Sequence, residues 1–226
     1  MGAMLKVMIA PVTPFQQNCS IVWCDETMEG TAVDPGGDFD MLKEAIAQQG
    51  IKVTKVLLTH GHVDHASAAG TMADHYGVKI EGPHEDDLFL IEGLPASGAK
   101  YNFPAYKPFV PDRWLENGET VSLGNLTFDV VHCPGHTPGH VVFVHKPSKV
   151  AFVGDVLFRG SVGRCDLPRG NHDQLVNSIR GGLWPLGDDM QFVPGHGQTS
   201  TFGWERKTNS FVADLLFDDD EEEAKA

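Results

Sequence analysis

Cysteine is scarce in this chain of 226 residues, which has four cysteines and no C-x-x-C pair. Cys19, Cys24, Cys133 and Cys165 do not form the dense pattern of a disulfide-stabilised secreted domain. A chain of this length can also bury a sizeable core without covalent cross-links. We therefore expect four reduced thiols in a cytoplasmic protein.

Long apolar runs are missing as well. No stretch approaches the roughly 18 consecutive apolar residues that a membrane-spanning helix needs. The first residues also lack the basic stretch and apolar run of a secretory signal. We expect no membrane partner.

Basic residues are too few to balance the acidic ones. The chain has 17 Lys and Arg against 31 Asp and Glu, which gives a formal net charge of −14. Residues 218–226 contain six acids and one lysine, so the rest of the chain still carries −9. Because phosphate backbones are bound by clustered Lys and Arg, we exclude nucleic acid as the main partner. The acidic segment 218–226 is predicted to be a disordered tail.

Strand and helix patterns alternate along the chain and predict an α/β protein. The predicted strands are 4–9, 18–24, 53–59, 126–130, 140–145, 149–153 and 191–193. The predicted helices are 38–49, 69–76, a short one near 84–91, one that carries Leu175, Ile179 and Leu183, and a last one near 204–217. The proline-containing stretch 82–118 is otherwise expected to be irregular. Since β and α alternate in each half, we expect two stacked sheets with helices outside.

Three histidines and one aspartate fall within six residues directly after the buried strand 53–59. They are His60, His62, Asp64 and His65. In open α/β folds ligands bind at the carboxyl ends of strands. Two histidines separated by one residue cannot share a helix face, but at a strand end alternate side chains point the same way. His60 and His62 can therefore meet one ion, while Asp64 and His65 point towards a second.

Three further candidate ligands follow apolar, strand-like runs and stand beside glycine or proline. They are His136, Asp155 and His196. Imidazole and carboxylate groups together suit zinc, iron, manganese or cobalt. Seven such ligands can hold two ions if one carboxylate bridges them. Two ions about 3.5–4 Å apart form a two-metal hydrolytic site.

The segment His60-Gly61-His62-Val63-Asp64-His65 matches the His-x-His-x-Asp-His signature, and the sequence thereby resembles the metallo-β-lactamase superfamily. The resemblance covers about residues 4–217. It implies an αββα sandwich, residues 1–217 as one domain, and a metal site at one edge of the two sheets. By the same resemblance, one metal would be held by His60, His62 and His136, the other by Asp64, His65 and His196, with Asp155 bridging both.

Within that superfamily the sequence is most similar to glyoxalase II and its short bacterial relatives. The similar segments are Cys133 to His140, Gly154-Asp155 and Pro194 to Gly197. This resemblance implies a hydroxyacylglutathione hydrolase that cleaves S-lactoylglutathione or a related thioester in methylglyoxal detoxification. It implies two divalent ions, zinc before iron or manganese.

Recognition of glutathione follows the glyoxalase II pattern only in part. Arg164 fills the position of the basic residue that meets a glutathione carboxylate, and we predict that it binds substrate. Asp166 and Gln198 stand where that family has tyrosines. About 30 residues follow His196, so we expect the family's C-terminal helical domain to be absent or reduced to one helix.

The expected mechanism is attack of hydroxide on the thioester carbonyl. Two cations lower the pKa of a shared water from about 15.7 towards ~7, and one of them can take the negative charge on the carbonyl oxygen. A thiol has a pKa of ~8.5, so the leaving thiolate needs no strong general acid. Asp64 is the predicted catalytic residue, because it would bind the second ion and orient the nucleophile. His140 and Thr137 are candidates for supporting the ligands.

Two alternatives stay open. The first is a glutathione persulfide dioxygenase with a single iron held by two His and one Asp, a branch that shares the histidine motif and the residue matched by Arg164. The second is a module that binds metal without catalysis. The sequence also leaves a monomer and a small homo-oligomer equally open.

Overall fold

The structure is a computed structural model that describes residues 2–217. Within this range the chain forms two β-sheets that stack face to face, with helices on their outer faces. The prediction for the acidic segment 218–226 lies outside the described residues.

The first sheet has five strands in the order β1-β2-β3-β4-β5. Its strands are β1 (Leu5–Val12), β2 (Gln17–Cys24), β3 (Glu29–Val33), β4 (Lys52–Leu57) and β5 (Lys79–Glu81). The first three strands run antiparallel, whereas β3, β4 and β5 run parallel. The parallel connections pass through helices, as parallel strands require.

The second sheet has six strands from the rest of the chain. They are β6 (Thr120–Leu123), β7 (Leu126–His132), β8 (Val141–His145), β9 (Val150–Gly154), β12 (Gln191–Pro194) and β13 (Ser200–Thr201). Strands β10 (Leu157–Phe158) and β11 (Ser161–Val162) form a separate two-stranded hairpin that belongs to neither large sheet. Strand order is β13-β12-β9-β8-β7-β6, and β9 and β12 are parallel neighbours. Their carboxyl ends therefore meet at one edge.

Within residues 2–217, six α-helices accompany the sheets. They are α1 (Phe39–Gln49), α2 (Val63–Ala66), α3 (Ala69–Tyr76), α4 (Leu88–Tyr101), α5 (His172–Ser178) and α6 (Phe202–Thr208). Leu42 and Ile46 of α1 and Met72 of α3 pack on the first sheet. Leu175 of α5 and Phe202 of α6 pack on the outer face of the second.

The two sheets share a core because their strands are apolar on both faces. Along β8, Phe143 packs between the sheets, whereas Val142 and Val144 pack against the outer helices. All three side chains are fully buried. Strands covered on both sides are continuous apolar runs rather than alternating ones. The αββα sandwich predicted from the sequence is confirmed, and the extent of the domain as 1–217 stays a prediction.

The prediction of an irregular stretch with one short helix near 84–91 is wrong. A 3-10 turn at Glu85–Asp87 leads directly into α4, which continues for 14 residues to Tyr101. Pro95 lies inside this helix, so a residue that usually ends helices does not end this one. Packing of Leu90 and Ile91 beside the loop at Gly61 holds α4 in place.

The predicted helix near 204–217 is too long. α6 ends at Thr208, because Asn209 adopts an extended backbone conformation. Its buried side-chain amide donates to the carbonyl of Ser161 at 3.0 Å and to Glu205 Oε2 at 2.9 Å. These hydrogen bonds end the helix and connect Asn209 to the β10–β11 hairpin. Between residues 2 and 217, no helix has both the length and the apolar character needed to cross a bilayer.

Removal of the Phe143 ring tests the shared core. Phe143→Ala is expected to lower the free energy of unfolding by about 3–5 kcal/mol, because the cavity lies between two rigid sheets. Phe211→Ala removes the same ring from a site that is 43% exposed, and should cost less than about 1 kcal/mol. Denaturant unfolding of both variants measures the difference. Equal losses would contradict the assignment of Phe143 to the central core.

Candidate metal centre

The seven predicted ligands all stand just beyond strand ends or in the loop between two strands. His60, His62, Asp64 and His65 follow β4, and the last two lie on α2. His136 lies in the β7–β8 loop, Asp155 follows β9, and His196 follows β12. The two sheets stack, so these loops converge at one edge of the sandwich.

One group of converging side chains consists of His60, His62 and His136. Each offers a ring nitrogen within 4.8 Å of the other two. His62 Nδ1 and His136 Nε2 are 2.9 Å apart. The three rings therefore aim nitrogen atoms at a common point.

A second group consists of Asp64, His65 and His196, whose ligand atoms also lie within 4.8 Å of one another. Asp64 Oδ2 is 3.1 Å from His196 Nε2 and 3.8 Å from His65 Nε2. A cation placed among them would face one carboxylate and two imidazoles.

Asp155 lies between the two groups. Its Oδ2 is 3.6 Å from Nε2 of His136, in the first group, and 3.7 Å from Nε2 of His196, in the second. Its Oδ1 is 3.4 Å from Nε2 of His65. A carboxylate in this position can contact an ion in either group.

Hydrogen bonds at the outer ring nitrogens support a metal-binding tautomer of four of the histidines. His136 Nδ1 donates to the carbonyl of Arg164 at 2.7 Å, and His196 Nδ1 donates to the carbonyl of Phe15 at 3.2 Å. A neutral imidazole that donates through Nδ1 has its lone pair on Nε2. Metal-ligating histidines are held in this way.

Asp34 orients the rings of the other two histidines, His60 and His65. It accepts hydrogen bonds from the main-chain N–H and the hydroxyl of Thr59, at 2.7 and 2.6 Å. His65 Nδ1 lies 2.9 Å from Asp34 Oδ2. His60 Nδ1 lies 3.0 Å from the Thr59 oxygen, whose proton is already given to Asp34. One carboxylate thus directs Nε2 of both rings towards the centre.

The buried atoms without partners fit a bound cation. Among residues 2–217, His60 Nε2, His65 Nε2 and Asp155 Oδ1 are buried and make no hydrogen bond. A buried polar atom without a partner costs about 1–3 kcal/mol. Three such atoms gathered at one place fit bound divalent ions, because imidazole and carboxylate donors suit such ions.

For most groups in the centre, the pKa values favour the protonation states that can bind metal. Burial lowers the pKa of His60 well below its ordinary value, and that of His62 to about 3. Burial opposes ionisation of Asp155, but His65 and His136 beside it hold its pKa well below the usual range. Neutral imidazoles and ionised carboxylates are the forms that bind metal.

His65 behaves differently. Burial by itself would lower its pKa, but Asp155 and Asp64 raise it well above the ordinary value. Without metal, the two carboxylates therefore favour the protonated ring. A cation bound here would take the place of that proton.

Asp87 joins the two loops that carry the first group, and the sequence provided no signal for it. Its carboxylate accepts from the N–H of Gly61 at 2.9 Å, from the hydroxyl of Thr137 at 2.9 Å and from the N–H of Gly139 at 2.7 Å. Burial raises the pKa of Asp87 to about 6. The carboxylate fixes the loop at 60–62 against the loop at 136–140.

His140, named with Thr137 as a supporting candidate, contacts the main chain of Asp155. Its Nε2 accepts the N–H of Asp155 at 3.0 Å, and its Nδ1 donates to the carbonyl of Val141 at 3.1 Å. The ring also stacks on His60, with centroids 4.5 Å apart. Both candidates therefore support the loops that bear the ligands.

Arg164 lies further out, and its side chain is 63% exposed. Its guanidinium donates two hydrogen bonds to Asp166, each 2.7 Å long. The residue borders a cavity of about 770 Å³ that reaches down to His62, Asp64 and Asp155. Its role in substrate binding stays a prediction.

Comparisons with known proteins identify a family and similar sequences. The family profile described as "Metallo-beta-lactamase superfamily" matches residues 12–196. The hydroxyacylglutathione hydrolase GloC of Haemophilus influenzae is 44% identical over 209 residues, which are 92% of this chain and 98% of that protein.

Two crystal structures have a similar fold. TTHA1623 in a di-iron-bound form is 35% identical with a TM-score of 0.83, over 91% of this chain and 100% of that one. BLEG-1 B3 metallo-beta-lactamase is 32% identical with a TM-score of 0.83, over 92% of this chain and 99% of that one.

Replacement of Asp34 tests whether the hydrogen bonds at the outer ring nitrogens strengthen metal binding. Asp34→Ala is expected to weaken metal binding by about 10–100-fold, because two imidazoles lose the group that orients them. Competition with a chromophoric chelator measures the affinity. Asp40→Ala, which removes an exposed carboxylate from α1, should leave it unchanged. Wild-type affinity in Asp34→Ala would show that the rings need no such support.

Proposed function

The chain belongs to the metallo-β-lactamase superfamily, and we propose that it is a hydrolase of the glyoxalase II type with two metal ions, which cleaves S-lactoylglutathione or a related hydroxyacyl-glutathione thioester. The observation that carries the proposal is the position of Asp155 between two groups of ligands. The 44% identity to a hydroxyacylglutathione hydrolase supports the choice of substrate class.

In this proposal one ion would be held by His60, His62 and His136, the other by Asp64, His65 and His196, and Asp155 would be available to both. When bound, two divalent ions supply a water of lowered pKa and a positive charge that stabilises negative charge on the carbonyl oxygen. We propose zinc, with iron or manganese as alternatives, because the donor set accepts all three.

The chain's own residues position the reactants. We propose Asp64 as the catalytic residue, since its carboxylate lies on the cavity wall, 3.1 Å from His196 Nε2. There it can accept a hydrogen bond from the attacking water and orient it. Phe158, Val162 and Leu167 line the same cavity and exclude other water. A departing thiolate needs no proton donor, because thiols have a pKa of ~8.5.

The partner is a small thioester, which the cavity of about 770 Å³ can admit. We propose a cytoplasmic location, which is supported by four cysteines that form no disulfide. Arg164, at the cavity wall, is a proposed substrate contact.

Metal analysis combined with turnover tests the proposal. The purified protein should contain two equivalents of metal per chain and hydrolyse S-lactoylglutathione, with loss of activity after chelation and recovery after metal is restored. One iron per chain and oxygen uptake with glutathione persulfide would instead establish the dioxygenase. Two bound ions without turnover of any thioester would favour a module that only binds metal.

Replacement of the shared carboxylate is the sharpest test of the two-metal site. Asp155→Ala should reduce the metal content to at most one equivalent per chain, because both groups of ligands lose the carboxylate that they share. Loss of several kcal/mol of charge stabilisation then lowers kcat by about 10²-fold or more. Elemental analysis and initial rates provide the measurement, with the exposed Asp189→Ala as control. Full loading of Asp155→Ala would refute a bridging role.

A further inference from the structure

Helix α4 forms one wall of the cavity, although its sequence did not predict a helix of this length. Leu90, Ser97, Lys100 and Tyr101 all border the cavity from this helix. Its start is fixed against the metal loop, because a Cβ at Gly61 would lie 2.8 Å from Leu90 Cβ. The helix therefore extends from the metal centre to the outer part of the cavity.

Aromatic rings hold the far end of α4. Tyr101 packs edge to face with Phe15, and Phe15 packs likewise with Phe103, with centroids 5.6 and 5.5 Å apart. The carbonyl of Phe15 also accepts the hydrogen bond from His196. The last turn of α4 thus has a fixed position relative to the second ligand group, although Phe15 and Tyr101 are 43% and 42% exposed.

Lys100 is the cation of this last turn. Its ammonium lies 5.0 Å from the centroid of the Tyr101 ring. Within the described part of the chain it forms no ion pair or side-chain hydrogen bond, whereas Arg164, the other cation on the cavity wall, is paired twice with Asp166. The carboxyl end of a helix also favours a positive charge. Lys100 is therefore available to an anion in the cavity.

The composition of the cavity limits what this anion can be. Its inner end carries the metal ligands, and its walls include the apolar side chains of Val63, Leu90 and Phe158. A ligand that fills it has a reactive group at the centre, an apolar or neutral middle and an anionic end. A hydroxyacyl thioester of a thiol that bears a carboxylate has this form.

We propose that Lys100 is a specificity-determining residue that binds a carboxylate of the substrate's thiol portion, with Tyr101 supporting the ammonium. This inference rests on the proposed thioester hydrolysis and extends it to the group that selects the thiol. Arg164 can then contact a second carboxylate only in competition with Asp166.

The test compares Lys100→Gln with the wild-type protein on two substrates. For S-lactoylglutathione, KM should rise about fivefold with kcat unchanged, since an exposed charge pair of about 1 kcal/mol is lost. For the lactoyl thioester of N-acetylcysteamine, which has no charge, both constants should stay the same. Added salt should raise KM for S-lactoylglutathione in the wild type and much less in the variant. Lys207→Gln on α6 serves as the matched control.

A binding measurement separates this inference from the proposed reaction. S-methylglutathione cannot be hydrolysed, and calorimetry should show binding about fivefold weaker to Lys100→Gln than to the wild type. If the metal-loaded wild type fails to cleave S-lactoylglutathione, the proposed function is wrong, and the calorimetric result still decides the role of Lys100. Equal affinities, or equal losses on both thioesters, would overturn the inference.

Discussion

The centre depends on one electrostatic constraint: carboxylates and imidazoles are buried together at a sheet edge and must compensate one another. Asp155 stays ionised inside the protein because His65 and His136 lie beside it. The same carboxylate raises the pKa of His65 well above its ordinary value. Buried charges are tolerated when they are paired or bind metal. Asp155 lies within 3.7 Å of three rings and thereby connects the two groups of side chains.

The surrounding structure serves to hold these groups in the right orientation. Main-chain carbonyls accept hydrogen bonds from the outer nitrogens of His136 and His196. Asp34 orients His65 directly and His60 through Thr59, so Nε2 of these rings faces the centre. Asp87 connects two ligand loops that are far apart in sequence. Because the loops leave strands of a tightly packed sandwich, small displacements are resisted by the core. The rigid part of the fold holds the candidate metal ligands, while α4 and Phe15 in the β1–β2 turn line the cavity beside them.

Much of this arrangement follows from local sequence. The apolar run 53–59 predicted a buried strand, and β4 confirms it, with Val56 packed on the outer face and Leu57 between the sheets. The spacing of His60, His62, Asp64 and His65 indicated a metal site, because no packing requirement explains such a cluster. The short strand β3 and the end of α6 were missed, since both involve distant residues. A Cβ at Gly30 would collide with Val22 and Ile51, and Asn209 donates to the carbonyl of Ser161.

The sequence by itself therefore determined the layered fold and the seven residues that meet at its edge. Only the tertiary structure decided how they are supported, because no local pattern marks Asp34 or Asp87 as a partner of the loops that bear the ligands. The physical reason is the difference between short-range and long-range interactions along the chain. Strand and helix patterns, and a motif of six residues, arise from neighbours along the chain. A carboxylate that orients a ring 31 residues away, or a lysine facing a cavity, acquires its role only when packing brings distant segments together.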